Sequence, residues 1–432
     1  VDHGYCQIFW GEDDIKLLNK DGEKMLDDDC RKRIISDQKL IVKKYWEKVY
    51  KLLTAVQDGV SSKELGVAYD NYSLVLRRVY AHFITSTEHV TFAIESELKS
   101  LLRKNFPNNL DEVYAVLTTP VEKDLLIKEK EAWLNLLDDI SDENILNYYK
   151  NYSIILANVF SKEEVHDIAN QRIKTHTPDN IREELICYEK RKTDLIKRKK
   201  ELFSDLVSDR IGDYSNFICK LANLRLELKH CWNGESFHLL PFFEKIAALE
   251  NCSVRDAYMF YTRKDISVLL NKNVSLSKKI LEARNEFCLL RFHKSKIDIY
   301  NGEDAIAAKE KFLNLDFTDD VKSFKGSIAN KGKIVGRARV VLFDNPQKIY
   351  AFAKTLEKDD ILVAGMTNPT MMVLISKVKG IITDEGGAAC HAAIISREFN
   401  IPCVVGTKIA THVLKDGDMI ELNANSGVIT KL

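Results

Sequence analysis

Glycine divides this chain into two parts with different folding rules. None occurs between Gly66 and Gly212, whereas ten of the 18 lie from Gly326 onward. A stretch that long lacks the residue that serves left-handed turns, so it suits helices better than a sheet with tight loops. Proline is sparse there too, with only Pro107, Pro120, Pro178 and Pro241 before residue 300. The first three hundred residues therefore read as helical. Val42, Tyr45, Trp46, Val49, Leu53 and Val56 recur at three and four, with Lys43, Lys44, Glu47 and Lys48 between them. That is the spacing of an amphipathic helix lying on a core. Residues 124–140 and about 180–210 read the same way, and "SDEN" at 141–144 is expected to cap the next helix.

Near residue 285 the pattern changes. "FCLLRFHKSKIDIY" (287–300) alternates like a β-hairpin, and residues 301–325 read as a connector with a short helix. From Gly326 the chain reads as an α/β unit. "GRARVVLF", "DILVAG", "GIIT", "PCVVG", "DMIELN" and "GVITKL" are its strands, with helices near Thr370–Lys379 and Ala389–Phe399. The expected organisation is multidomain, a mostly α-helical region over 1–300, a linker over 301–325 and an α/β domain over 326–432. At 432 residues the chain is too long for one ordinary core.

Charge narrows the function. Lys plus Arg and Asp plus Glu are equal at 64 each, so there is no basic excess that would mark a nucleic-acid or membrane-surface partner. No apolar run reaches the length of a membrane span and no signal peptide opens the chain. Nine scattered cysteines without a CxxC pair point away from a disulfide framework or a metal site and towards a reducing cytoplasm. The chain opens on Val1 rather than Met, as a processed chain or a piece of a longer one would.

The chemistry concentrates in "TDEGGAACHAAIISREFNIPCVVGT" (383–407). Gly386 and Gly387 allow a tight turn with open amide groups, and a helix begins at His391. The N–H groups and positive dipole end of such a helix favour an anion, phosphate above all. The same dipole disfavours a charged imidazole and so favours a nucleophilic one. Ala388, Ala389, Ala392 and Ala393 keep the approach slim. Together these describe a histidine that attacks phosphorus, rather than one that merely bonds a neighbouring loop.

The segment resembles the phosphohistidine region of the phosphoenolpyruvate-utilising enzymes. The likeness runs over residues 326–432, from "KGKIVGRARVV" to "DGDMIELNANSGVI", and is nearest in style to split or side-branch members such as rifampicin phosphotransferase, phenylphosphate synthase and phosphoenolpyruvate synthase-like proteins. It implies a swivelling β/β/α domain whose histidine takes a phosphoryl or pyrophosphoryl group from ATP and carries it to an acceptor. Where the dikinases have a threonine two residues before the histidine, this chain has Ala389, which favours a side branch without phosphorylation of that threonine.

Thr367, in "GMTNPTMM", resembles the family's T-x-P turn beside the histidine and reads either as a phosphate contact or as a helix cap. Arg397 reads either as a grip on phosphate or as a solvated helix arginine, and Cys390 as small filler. The glycine-poor half supplies no ATP-grasp module, and no barrel for phosphoenolpyruvate is in view. Mg-ATP is therefore expected on a partner ATP-grasp domain, with nothing bound tightly by this chain. The helical half is left as the docking or acceptor-binding part. It carries His82 and His89, seven apart, as a candidate base, with core or surface histidine as the plainer reading. "HCWNGESFH" (230–238) and Tyr148, Tyr149 and Tyr152 read as a pocket or as ordinary packing. The expected function is an ATP-dependent phosphotransferase subunit or fragment acting on a small molecule. The alternatives are part of a phosphoenolpyruvate synthase with pyruvate as acceptor, or a non-catalytic phosphocarrier.

Overall fold

The computed structural model describes residues 12–156, 158–204, 209–293, 296–313, 321–342, 346–367, 371–387 and 390–432. Asn368, Pro369, Thr370, Ala388 and Ala389 lie outside these. The chain forms two compact units. One runs to Val254 and adds Thr262–Ser275; the other comprises Arg255–Tyr261 and Leu276–Leu432. The division differs from the expected 1–300, 301–325 and 326–432, because the hairpin and the connector helix group with the C-terminal unit.

The first unit is helical. Its helices are α1 (Glu12–Gly22), α2 (Asp28–Gln57), α3 (Ser62–Ile84), α4 (Glu88–Asn105), α5 (Leu110–Thr118), α6 (Leu125–Asp138) and α7 (Asp142–Asn151). They continue with α8 (Lys162–Thr175), α9 (Pro178–Ser204), α10 (Asp209–Trp232), α11 (Glu235–His238) and α12 (Leu240–Glu250). Ser141 caps α7 by accepting from the Asn144 amide at 3.2 Å, as the sequence suggests. On α2 the buried stripe is Ile41, Tyr45, Val49 and Leu52, rotated from the expected one, with Val42, Trp46 and Leu53 at its margin.

Two polar networks are sealed in this helical core. Glu129 pairs with Arg172 at 2.5 Å and accepts from Tyr148, while the Arg172 guanidinium lies 4.1 Å from the Trp133 ring centroid. Tyr148 and Tyr149 are thus core residues rather than a pocket wall. In the second network His238 Nε2 lies 2.8 Å from Tyr45 Oη and Nδ1 lies 3.3 Å from Ser153 Oγ, and Tyr72 donates to Glu235. Gly234 makes this possible. Its φ is +79° and a Cβ there would sit 2.3 Å from the Ser153 carbonyl oxygen, so "HCWNGESFH" is a tight turn pressed into the core.

The helical unit also takes α14 (Arg263–Lys272), whereas α13 (Val254–Met259) lies almost wholly in the C-terminal unit, which continues with α15 (Lys278–Glu286) and the antiparallel hairpin β1 (Cys288–His293) and β2 (Lys296–Asn301). Next come α16 (Glu303–Leu313), β3 (Ser323–Lys325), β4 (Ser327–Asn330), β5 (Lys333–Val341) and α17 (Pro346–Ala353). The unit closes with β6 (Asp360–Ala364), α18 (Met372–Ile375), β7 (Gly380–Thr383), α19 (His391–Glu398), β8 (Cys403–Val405), α20 (Ala410–Val413), β9 (Met419–Asn423) and β10 (Val428–Lys431).

Strands β3 to β10 form one mixed sheet in the order β3-β10-β9-β5-β6-β7-β8-β4, in which β5, β6, β7 and β8 run parallel. Alternation sends Ile361 and Val363 to one face and Leu362 to the other, and both faces are covered. The continuous apolar text of β6 follows from burial on both sides. Strands β3 and β4 were not expected, because each is short and polar.

At the start of β6, Asp360 is 1% exposed and accepts from Arg337 Nε at 2.8 Å, Arg339 Nη1 at 3.1 Å and the Glu357 amide at 2.8 Å. Burial pushes its pKa up, but the bonds from Arg337 and the Glu357 amide outweigh this and hold it below the ordinary value. Asp360→Ala is expected to cost about 1–3 kcal/mol in urea melts, because it removes the acceptor shared by Arg337 and Arg339 while their bonds to Glu357, Asp416 and Thr355 remain. A loss under about 1 kcal/mol would reject that role.

The core histidines set a pH dependence. Burial lowers His230 to about 4, and burial together with His230 lowers His238 to about 3. Both are neutral in the fold and protonate near 6.5 when unfolded. Stability is therefore fully present above about pH 6.5. It falls below that, by up to about 1.4 kcal/mol per pH unit for each histidine. Urea melts of the wild type and His230→Phe between pH 7.5 and 5.5 measure this. The variant is expected to flatten the slope; an unchanged slope counts against burial of a neutral ring.

Candidate functional site

Parallel pairing of β6 with β7 places the loops after their C-terminal ends side by side, where open α/β sheets commonly hold ligands. The β6 loop carries Thr367, three residues past the strand. The β7 loop runs through Asp384, Glu385, Gly386 and Gly387 to α19, whose first residue is His391. Thr367 is buried, and its Oγ1 lies 2.9 Å from His391 Nδ1. When Nδ1 carries the proton and donates it to Thr367, the lone pair sits on Nε2, which is the arrangement a nucleophilic imidazole needs.

The two loops are stitched to each other and to the next one. The Asp384 amide donates to the Ala364 carbonyl at 3.1 Å, and the Glu385 amide to Gly365 at 2.9 Å. The Thr407 and Lys408 amides donate to Thr383 and Asp384, both at 3.0 Å. Asp384, which is 8% exposed, accepts from Thr407 Oγ1 at 2.9 Å, from the Thr411 amide at 3.2 Å and from the Thr411 hydroxyl. This brace of Thr383, Asp384, Thr407 and Thr411 was not picked out from sequence. Its only signal was polar residues at the ends of two apolar strands.

The glycine pair divides in role. Gly386 has φ +110°, and a Cβ on it would lie 2.7 Å from Cys390 Sγ, so the loop folds back onto the residue just before the histidine. Gly387 has ordinary backbone angles and open space around its Cα. Cys390 stands at the N-cap of α19 in extended conformation, and no side chain caps that helix. Met366, next to Thr367 in the chain, and Ile394, one turn after His391, are each 46% exposed.

The structure thus brings together His391, Thr367 and the Gly386 loop. Arg397 lies elsewhere: six positions along α19, its Nε donates to the Ala329 carbonyl on β4 at 3.1 Å. His82 is in the last turn of α3 and His89 in the first turn of α4, so they do not share the one helix face that their spacing suggested. The chain turns between them at residues 85–87. Burial lowers the His82 pKa, and its carbonyl accepts from Gln38 Nε2 at 3.0 Å. Among the described residues no three His, Cys, Asp or Glu side chains are grouped as metal ligands, and no helix is long and apolar enough to cross a membrane.

Residues 356–427, which contain His391, match the family model described as PEP-utilising enzyme, mobile domain. The chain is 44% identical over 105 residues to a probable phosphoenolpyruvate synthase of Methanothermobacter thermautotrophicus, a match covering 24% of this chain and 14% of that one. It is 43% identical over 107 residues to the phosphoenolpyruvate synthase of Pyrococcus furiosus, covering 25% and 12%. With a rifampicin phosphotransferase of Bacillus cereus it shares 27% identity over 249 residues, covering 55% and 27%. The chain thus spans at most about a quarter of the length of these relatives.

Gly386→Ala is expected to destabilise the C-terminal unit by about 1–3 kcal/mol through its backbone angle, and Gly387→Ala to stay within about 0.5 kcal/mol. Thermal melts of both variants decide it, and equal losses would reject the division of roles. Residues 356–427 are thus similar to the mobile domain of the phosphoenolpyruvate-utilising enzymes, and His391 and Thr367, whose side chains meet, both fall within the matched stretch.

Proposed function

We propose that this chain is an ATP-dependent phosphotransferase subunit or fragment in which His391 Nε2 is the carrier. The observation that carries the reading is the Thr367 Oγ1 to His391 Nδ1 contact of 2.9 Å at the start of α19. It fixes the ring and directs reaction to Nε2. His391 attacks a phosphorus of ATP held with Mg²⁺ on a separate ATP-grasp domain. A P–O bond of the nucleotide breaks and an N–P bond forms. The helix dipole and amides at the α19 N-terminus favour the charge that then sits on the ring. Exposed Met366 and Ile394 suit a surface that closes against a partner and excludes water, which protects a labile N–P bond.

In the second half-reaction an acceptor hydroxyl attacks that phosphorus, the N–P bond breaks and Nε2 regains its lone pair. The helical unit is the part left to bind the acceptor. Of the three relatives named above, rifampicin phosphotransferase is matched over the longest stretch, which favours a small-molecule hydroxyl over pyruvate. In this reading Mg²⁺ and nucleotide are held by the partner, and Asp384, the buried carboxylate of the loop, serves Thr407 and Thr411 instead.

Intact mass after incubation with Mg-ATP and an ATP-grasp protein from the same organism tests this. An acid-labile gain is expected in the wild type and none in His391→Ala. Thr367→Val is expected to slow phosphorylation about 10–100-fold, as loss of an imidazole-orienting partner does elsewhere. A gain that persists in His391→Ala would overturn the reading.

A further inference from the structure

Arg225, Lys229 and Trp232 on α10 are spaced by four and three, so they share one helix face. Trp232 stacks on Tyr80 of α3 with centroids 4.7 Å apart and planes at 28°, and meets Phe83 edge-on at 4.7 Å. The Arg225 guanidinium lies 4.5 Å from the Phe83 centroid and donates to the Ser86 carbonyl at 2.5 Å. Lys229 sits in the row between Arg225 and Trp232. It is half-buried, and its ammonium has no hydrogen-bond or ion-pair partner among the described residues. Burial and the neighbouring Arg225 lower its pKa to about 8, with no carboxylate acting on it.

A partly desolvated cation beside a second cation opposes folding unless something supplies negative charge. Other cations of this unit have a carboxylate, as Arg172 has Glu129 and Lys130 has Glu184. Lys229 has none among the described residues, and its neighbours on the helix face, Arg225 and Trp232, lie against an aromatic shelf formed by Phe83 and Tyr80. Tyr80, at the edge of that shelf, is 38% exposed, so a flat molecule has a surface to lie against. Arginine held on a ring and an unpaired ammonium together suit an oxyanion.

We propose that Lys229, Arg225, Tyr80 and Trp232 form a binding site for a planar small molecule that carries a carboxylate or a phosphoryl group. Lys229 and Arg225 hold the anion, and the Tyr80–Trp232 pair takes the flat portion. Naming that molecule the phosphate acceptor rests on the function proposed above, whereas the site itself does not.

The test uses the full chain without nucleotide. Benzoate and phenylphosphonate are titrated calorimetrically, with benzyl alcohol as the neutral control. At least one anion is expected to bind the wild type, and benzyl alcohol far more weakly. Binding by benzoate assigns the anion as carboxylate, and binding by phenylphosphonate assigns it as a phosphoryl group. Lys229→Met is expected to weaken binding about tenfold or more, and Lys229→Arg to retain it. Because the lysine is unpaired, Lys229→Met without ligand is expected to keep or raise Tm. Equal binding by wild type and Lys229→Met, or binding by neither anion, overturns the site. So does a fall in Tm in Lys229→Met, which would make the lysine structural. Failure here while His391 still gains phosphate leaves the carrier reading standing; binding here without phosphate on His391 separates the two in the other direction.

Discussion

Parallel pairing of β6 and β7 is the constraint on which the site depends. Two neighbouring parallel strands end at the same edge of the sheet, so residues far apart in sequence leave it together. Thr367 and His391, 24 positions apart, meet for that reason at 2.9 Å. Burial of β6 on both faces keeps that edge from shifting, since a slip of one residue would turn the alternate set of side chains onto the wrong face. Asp360 adds a polar anchor at the far end of the same strand, joined to Arg337 and Arg339 of β5.

The loop around His391 is held by local bonds rather than by bulk. Asp384 receives two hydroxyls and an amide from the segment that follows β8, and its own backbone amide donates to the Ala364 carbonyl at the end of β6, so one residue ties three successive segments together. This rigidity suits the carrier role proposed for His391.

The helical unit follows a different logic. Its long helices bury tyrosine, histidine, glutamate and arginine as well as aliphatic side chains, and several of these polar groups are matched to partners on other helices. Tyr45 with His238, Tyr72 with Glu235 and Arg172 with Glu129 bridge segments up to 193 residues apart. Such pairs demand one register between helices, because a shifted helix leaves charges or dipoles stranded. Lys229 stands apart from that rule, which is why it draws notice.

Much of this was legible from residue order alone. The glycine boundary separates helices from sheet, and the β-branched runs between glycines give six of the strands, because burial on both faces writes itself as a continuous apolar stretch. The segment around His391 is equally readable, since a tight turn, small residues and a helix start are local features. What sequence could not supply was anything requiring two distant segments to meet. His82 and His89 fall on separate helices because the chain turns at 85–87, where no proline or glycine announces it. Arg397 faces β4 because helical geometry and the packing of α19 decide its direction. The pairing of Thr367 with His391 and the brace around Asp384 likewise came only from strand order. Local conformation is set by neighbours along the chain, whereas hydrogen bonds between loops exist only once the sheet has brought its strand ends together.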